Sequence, residues 1–544
     1  MELIGELNRL QQAQGHLRDE DLRDLSERLR VPLYRIEEVI SFYPHFRTTP
    51  PPKAEVAVCR DLACYVNGGD EFCARVTKLL ANDPEIEVRE VSCLGRCEAA
   101  PAALIGDVPL GASPEDVAQA ARQPGRRRSA GPSAARRDWR IDLYAGSELE
   151  PYAVLEAYRD RDEEEAAAEI IERLKASGLA GMGGAAFPAG LKWELVRKEA
   201  ATPKYVICNA DESEPGTFKD RVIMAELPHL VIEGMCLGAL VCGADRGWIY
   251  IRHEYEPERQ ALQEAIDAAR SAGVLGERFD IEIFVSPGGY ILGEETALLE
   301  ALEDRRGEPR NKPPYPGQSG LWGKPTLINN VETLAMAPAI VQHGPDWWKE
   351  QGTRGHHGLK FIGVSGHVER PGVFEIPMGT TVAELIELAG GVKDGRRLKG
   401  FAPGGASSNF LPAEAADVEI DFKSIAEAGS MLGSAALIVL DQDADMIAAA
   451  TNVVRFFRNE SCGKCVPCRV GTEKVVAMLE GTLAGDGNGA LREALPDLEV
   501  TLAETSICGL GQVALNPITS ALKYWGDEME GEGRTAPVRR RVGK

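Results

Sequence analysis

Apolar residues recur at intervals of three and four in "DEDLRDLSERL" (19–29) and "LYRIEEVISFY" (33–43), the period of a helix with one buried face. Each run follows a start signal, so residues 1–50 are predicted to be a helical bundle. "TTPPPKAEV" ends that period. Over 51–121 the runs "AEVAVC", "IEVREVSC" and "AALIG" alternate with the helical "EFCARVTKLLAN", which predicts a small α/β domain. Residues 122–140, "RQPGRRRSAGPSAARRDWR", carry no periodicity and read as a basic linker. From 141 to 345 the strands "KYVICNA", "GWIYI" and "FDIEIFVS" lie between helices, on the scale of a nucleotide-binding domain. Over 346–442 short β runs surround one helix, "TVAELIELAGG", as in a β-grasp unit. Residues 443–544 are helical from "DADMIAAATNVVRFF" to about Trp525.

A chain of 544 residues exceeds one hydrophobic core, so several domains are expected. No apolar run approaches the roughly 18 residues of a membrane span, and no membrane insertion is expected. The opening "MELIGELNRLQQAQGHLRDEDLRDL" lacks the order of a secretory signal, and a cytoplasmic location is expected. A formal charge of -23 argues against nucleic-acid binding. The basic linker and the tail "RTAPVRRRVGK" are local exceptions, read as solvated segments or as docking strips for an acidic partner.

Twelve cysteines in such a chain point to metal or redox work rather than a disulfide framework. Cys73, Cys208, Cys236 and Cys242 are scattered and expected to be small buried hydrophobes. The other eight form two sets. "ESCGKCVPCRVGT" places Cys462, Cys465 and Cys468 at every third position, with Cys508 in "ETSICGLGQ" as the fourth ligand. Three plus one suits a [4Fe-4S] cluster, whereas structural zinc prefers two separated pairs and remains the alternative. A second alternative keeps Cys508 as a buried helical cysteine outside the site. Cys59 and Cys64 in "CRDLACY", with Cys93 and Cys97 in "CLGRCEAAP", suit a [2Fe-2S] cluster, again with zinc as alternative. Gly95 permits backbone N–H groups to approach the sulfurs there.

"GLAGMGGAAFPAGLKW" (178–193) places Gly181, Gly183, Gly184 and Ala186 in the letters of a dinucleotide fingerprint. It follows the helical "EEEAAAEIIERLKASG" instead of a strand, so it is no Rossmann fingerprint. It is either a mere tight turn or a backbone cradle for something flat or anionic, with Lys192 just beyond. "CNADESEPGTFKD" (208–220) follows a strand and packs Asn209, Asp211, Glu212, Ser213 and Glu214 into one turn. Carboxylates accept from sugar hydroxyls, and Asn both gives and takes. In "GGYILGEETALLEAL", Tyr290 offers an aromatic face while Glu294 and Glu295 start a helix; a plain helix cap is the alternative.

With "VISFYPHF" and "KPPYPGQSGLWGKPTLINNVETLA", these motifs make nearly the whole chain similar to the diaphorase flavoprotein module of NADH dehydrogenases, NAD-linked hydrogenases and molybdenum- or tungsten-dependent formate dehydrogenases. The resemblance implies a multidomain α/β protein. Its parts would be a helical bundle with a thioredoxin-like [2Fe-2S] domain, a Rossmann-like FMN and NAD domain, a β-grasp (SLBB-like) domain and a helical bundle holding [4Fe-4S]. It implies FMN contacts from Gly181, Gly183, Lys192, Asn209, Asp211, Glu212, Ser213, Gly293, Glu294, Asn329 and Asn330. Phe187, Lys192, Glu214, Tyr290, Glu295 and Tyr315 would line the NAD(H) site. Met182 stands where many members carry Arg, and Ala186 where many carry Gly.

Hydride carriers exchange two electrons and clusters one, so FMN is expected as the converter between them. Fusion of the two-iron and flavin modules argues against the ordinary respiratory complex. The chain carries no recognisable molybdenum, tungsten or nickel site. Formate or hydrogen chemistry would therefore sit on a partner. The fusion, with Met182 in the glycine loop looking like the formate dehydrogenase branch, implies a hetero-oligomer with a formate dehydrogenase catalytic subunit, with an NAD-reducing hydrogenase or NADH:quinone oxidoreductase as alternatives. A relay or scaffold protein that had lost the nucleotide is the reading from another class.

Overall fold

A computed structural model describes residues 2–106, 108–110, 113–123, 137–486 and 489–529; most of the basic linker and all of the basic tail lie outside the described residues. Helices Glu2–Gln14, Asp19–Leu29 and Leu33–Phe42 follow the predicted period. The side chains of Leu7, Leu22, Leu25 and Ile36 meet in their common core. Asp304 accepts from the N–H groups of Leu3 and Ile4 at 3.2 and 2.9 Å. It thereby caps the first helix from the flavin domain.

The second region is a four-stranded sheet in the order β2-β1-β3-β4, built from β1 (Ala54–Cys59), β2 (Ile86–Val91), β3 (Ala103–Ile105) and β4 (Val108–Leu110). β1 pairs parallel with β2 and antiparallel with β3. Val56 and Val58 face one core while Glu55 and Ala57 point to the opposite face, Ala57 against the small cluster around Cys59 and Cys64, the strand period of two. Helices Gly69–Leu79 and Pro114–Ala121 cover it, giving the thioredoxin-like arrangement.

The flavin domain has four parallel strands, β5 (Tyr205–Ala210), β6 (Arg246–Arg252), β7 (Asp280–Ser286) and β8 (Thr326–Asn330), in the order β7-β6-β5-β8. Chain order runs outward from β5 to β7 and then returns to the other side of β5. A crevice therefore opens beyond the carboxyl ends of β5 and β8, where ligands of open α/β sheets bind. Helices Pro228–Cys242 and Val331–His343 pack on each other and are buried on nearly all sides, which accounts for their apolar circumference.

The β-grasp domain comprises β9 (Leu359–Gly366), β10 (Gly372–Pro377), β11 (Leu398–Ala402), β12 (Leu411–Pro412) and β13 (Ala436–Asp441). Their order is β10-β9-β13-β11-β12, with β9 and β13 parallel at the centre. Helix Val382–Leu388 crosses it, started by a capping box of Thr381 and Glu384. The last region consists of helices Met446–Glu460, Val466–Leu483, Gly489–Thr505, Gly509–Val513 and Asn516–Trp525.

Among the described residues no single helix is long and apolar enough to cross a membrane; one pair, Lys219–Glu226 with Pro228–Cys242, passes on composition but is bent by 94° and largely packed in the core. Cys208, Cys236 and Cys242 are buried as expected. Cys73 departs from expectation: it is half-buried, because the buried line of its helix runs through Gly69, Phe72 and Val76 and leaves it on the flank.

Candidate functional site

The glycine loop follows helix Glu163–Ser177, whose C-cap is Gly178. The Gly181 N–H donates to the Phe187 carbonyl at 2.9 Å, closing the loop into a hairpin. The Met182 N–H donates to Thr333 Oγ1 at 2.9 Å, and its side chain is buried. A Cβ on Gly183 would sit 3.0 Å from Asn330 Cβ, and one on Gly293 3.2 Å from the Asp211 carbonyl. Glycine at these two positions lets the loop around Gly183 close on Asn330 at the end of β8 and the loop around Gly293 close on Asp211 just after β5, so both loops are drawn against the strand ends. Phe187 and Tyr315 are exposed at the rim.

The strand ends supply the crevice. Asn209, on β5, donates from Nδ2 to the Gly293 carbonyl at 2.8 Å. Asp211 accepts from the Ser213 hydroxyl and, at 3.2 Å, from Ser286 Oγ at the end of β7. Burial pushes Asp211 up to about 6. Glu212 is engaged internally: its carboxylate accepts from the N–H groups of Asp220 and Arg221 at 2.8 and 3.1 Å, starting helix Lys219–Glu226. Burial and the Asp220 charge raise it to about 7. Asn329, at the end of β8, accepts from Trp193 Nε1 at 2.9 Å. Asn330 caps helix Val331–His343 and donates to Asp220 at 2.6 Å.

The acidic residues nearer the rim are held by partners. Glu214 accepts the Tyr290 hydroxyl at 2.6 Å and the Ser407 N–H at 2.6 Å, and burial raises its pKa. Glu294 takes the helix-cap role, accepting the Thr296 and Ala297 N–H groups at 2.9 Å. Lys312 lies 2.9 Å from both Glu294 and Glu295, and Lys192 lies 3.6 Å from Glu295. Burial works against the Glu295 charge, but the two lysines outweigh it and hold the carboxyl below its usual range. Burial lowers Lys192. Sequence reasoning missed Lys312 and Ser407. A lysine ahead of two prolines in "NKPPYP" was the available signal for the first; nothing local marked the second.

The N-terminal thiols converge. Cys59, Cys64, Cys93 and Cys97 are each under 5% exposed, and the Cys93 and Cys97 sulfurs lie 3.6 Å apart. The Gly95 N–H points to Cys93 Sγ at 3.4 Å, the approach expected of that glycine. Asp61 accepts the Cys93 N–H at 2.7 Å. Arg252, at the end of β6, donates to the carbonyls of Cys93 and Glu212, both at 2.6 Å. It joins the two-iron loop to the flavin loop. Glu460 accepts from Ser92 Oγ and, at 3.0 Å, from the Tyr290 N–H.

In the helical region Cys465 and Cys508 each occupy a helix N-cap. A Cβ on Gly511 would lie 3.0 Å from Cys468 Cβ, which places the Cys508 turn against the triplet. The Leu510 and Gly511 N–H groups turn to the Cys508 sulfur, whose pKa burial pushes up to about 12 with a contribution from Cys462. Lys464 donates to the Pro309 carbonyl at 2.6 Å, anchoring the cluster loop to the flavin domain. The donor sets fit their groups: four thiols with N–H groups aimed at sulfur for each cluster, and a backbone-walled crevice with amide and carboxylate rims for a flavin nucleotide.

Family models match in this order: Thioredoxin-like [2Fe-2S] ferredoxin over residues 1–122, Nuo51 FMN-binding domain over 174–339, SLBB domain over 361–408, and NADH-ubiquinone oxidoreductase-F iron-sulfur binding region over 448–532. The chain is 44% identical over 372 residues to the F subunit of NADH-quinone oxidoreductase from Escherichia coli (strain K12), covering 66% of this chain and 84% of that protein. It is 42% identical over 371 residues to the HndC subunit of the NADP-reducing hydrogenase from Solidesulfovibrio fructosivorans, covering 67% and 76%. A chain of the solved NAD+-reducing [NiFe]-hydrogenase in the air-oxidized state superposes with a TM-score of 0.87 at 31% identity, over 97% of this chain and 93% of that one. The cysteine sets and the crevice thus follow one known design, and the chain is a member of the NADH dehydrogenase flavoprotein family, with FMN, [2Fe-2S] and [4Fe-4S] as its prosthetic groups.

Proposed function

We propose that this chain is the NAD(H)-facing diaphorase component of a cytoplasmic, hetero-oligomeric formate dehydrogenase. Its catalytic partner would carry the molybdenum or tungsten centre, where formate is oxidised to CO2 and a proton with release of two electrons. Bound FMN supplies the exchange between the two-electron chemistry of NAD(H) and the one-electron chemistry of clusters. The chain's own residues bind and orient. Gly181, Gly183, Lys192, Asn209, Asp211, Glu212, Ser213, Gly293, Glu294, Asn329 and Asn330 would hold the flavin; Glu212 and Glu294 also start the helices Lys219–Glu226 and Glu295–Leu302. Phe187, Lys192, Glu214, Tyr290, Glu295 and Tyr315 would line the NAD(H) site beside the flavin. In this reading the work is divided among residues 1–50, 51–121, 141–345, 346–442 and 443–544, with 122–140 as a linker.

The observation that carries the formate reading over the respiratory one is the fusion of the two-iron and flavin modules in one chain, supported by Met182 in the glycine loop. A second reading, the diaphorase of an NAD-reducing hydrogenase, draws on the full-length superposition with the hydrogenase chain. Purification of the native complex through a tag on this chain separates them. Formate-dependent NAD+ reduction with molybdenum or tungsten in the complex is expected; hydrogen-dependent reduction with nickel replaces the first reading by the second.

A further inference from the structure

Glu214 belongs to the flavin domain, yet part of its support comes from the β-grasp domain, almost two hundred residues downstream. Loop 404–410 of that domain lies along the Glu214–Pro215 segment. The Ala406 N–H donates to the Pro215 carbonyl at 3.2 Å. The Ser407 N–H donates to Glu214 Oε1 at 2.6 Å, and the Ser407 hydroxyl donates to the same oxygen. Gly405 permits this approach: its φ is +81°, and a Cβ there would lie 2.9 Å from the Pro215 carbonyl and 3.0 Å from Glu214 Cγ. The remaining oxygen of Glu214 accepts from Tyr290. Three donors therefore fix the carboxylate, two of them from Ser407.

The same loop is tied on its far side to the helical domain of the [4Fe-4S] cysteines. Asn516 Nδ2 donates to the Ser407 carbonyl at 3.0 Å, Asn409 Nδ2 to the Asn516 carbonyl at 3.3 Å, and the Phe410 N–H to Ser520 Oγ at 2.8 Å. Asn516 opens the helix Asn516–Trp525, which follows the turn of Cys508.

We propose that Ser407 is a positioning residue of the nucleotide site, which holds the Glu214 carboxylate in the orientation that receives NAD(H) and couples that orientation to the domain of the [4Fe-4S] cysteines. The proposal rests on the reading of Glu214 as a nucleotide contact. Ser407 acts through Glu214 and not on the reacting atoms, so its loss affects binding more than turnover.

The test uses the full chain loaded with FMN and clusters, NADH as the probe, ferricyanide as electron acceptor, and calorimetric titration with NAD+ as a measure independent of turnover. Ser407→Ala keeps the backbone donor and removes the hydroxyl. It is expected to raise KM for NADH and the Kd for NAD+ about 3- to 10-fold, the scale of one ordinary hydrogen bond, with kcat within about twofold and FMN content unchanged. Ser407→Thr is expected to restore both constants. Adding Ser407→Ala to Glu214→Ala is expected to cause no further loss, since the two act as a unit. Asn516→Ala is expected to shift Kd in the same direction, and an unchanged Kd there overturns the coupling to the cluster domain. If Glu214→Ala weakens binding while Ser407→Ala leaves KM and Kd untouched, the positioning role is wrong and the nucleotide site stands. Unchanged affinity in Glu214→Ala overturns the nucleotide reading and, with it, this assignment.

Discussion

Ala186 adopts φ +52°, a left-handed conformation that costs an L-residue roughly 1–2 kcal/mol and a glycine almost nothing. The family resemblance marks this position as one where many relatives carry Gly, but the reason is visible only in the backbone. Ala186→Gly is expected to stabilise the flavin domain by about 0.5–1 kcal/mol, the strain relief exceeding the added chain entropy. A denaturant midpoint that falls in this variant would contradict the strain. Glu233 shows a different conflict. It is fully buried in helix Pro228–Cys242, accepts from the Tyr144 hydroxyl and from the Leu155 N–H at 3.0 Å, and burial raises its pKa to about 7. A raised folded pKa means the native state holds the proton. The stabilisation is complete below the ordinary carboxyl pKa of 4.5 and is lost as pH rises through about 7. Glu233→Gln is therefore expected to stabilise at pH 8 by up to about 3 kcal/mol and to change little at pH 4. Equal effects at the two pH values would show that the carboxyl titrates alike in the folded and unfolded chain, with no raised pKa.

At the scale of elements, periodicity found the helices Asp19–Leu29 and Leu33–Phe42 and the strands β5, β6, β7 and β9. It did not find β8, because "TLINN" offers few apolar positions and ends on two asparagines. That strand forms because β5 supplies a parallel edge, a tertiary cause with no local signal. The glycine loop was legible for the opposite reason: the helix before it excluded the strand–turn–helix context, and that helix is present. The Cys508 turn, on a weak motif, lies against Cys468. Cys508→Ser is expected to convert or abolish the [4Fe-4S] centre while FMN stays bound, and to stop electron transfer to the partner. Iron content and the low-temperature paramagnetic resonance spectrum check this; a wild-type spectrum moves the fourth ligand elsewhere.

For the whole molecule, the cysteine sets and loop motifs announced which parts were present but not how they meet. Arg252 spans from Cys93 to Glu212, Glu460 spans from Ser92 to Tyr290, and Ser407 reaches Glu214. Each joins residues from different domains, and no window of sequence contains both ends. The two-iron module is nonetheless expected to be separable in function, since none of the residues assigned to the flavin and nucleotide lies within 51–121. Cys59→Ser is expected to remove the [2Fe-2S] resonance and leave dye reduction by NADH within about twofold of wild type. Loss of dye reduction in a folded variant would make the module part of the nucleotide site.

The near-complete enclosure of Cys59, Cys64, Cys93 and Cys97 also sets an order of events in biogenesis. Scaffold proteins that deliver iron and sulfide need direct access to thiols, and in the docked arrangement these four present almost no surface. Cys462, Cys465 and Cys508 keep partial exposure, while Cys468 is buried like the first four. Filling of the first centre is accordingly expected before the N-terminal module closes onto the flavin domain; reconstitution of the [2Fe-2S] centre in the intact folded apo-chain would contradict that order.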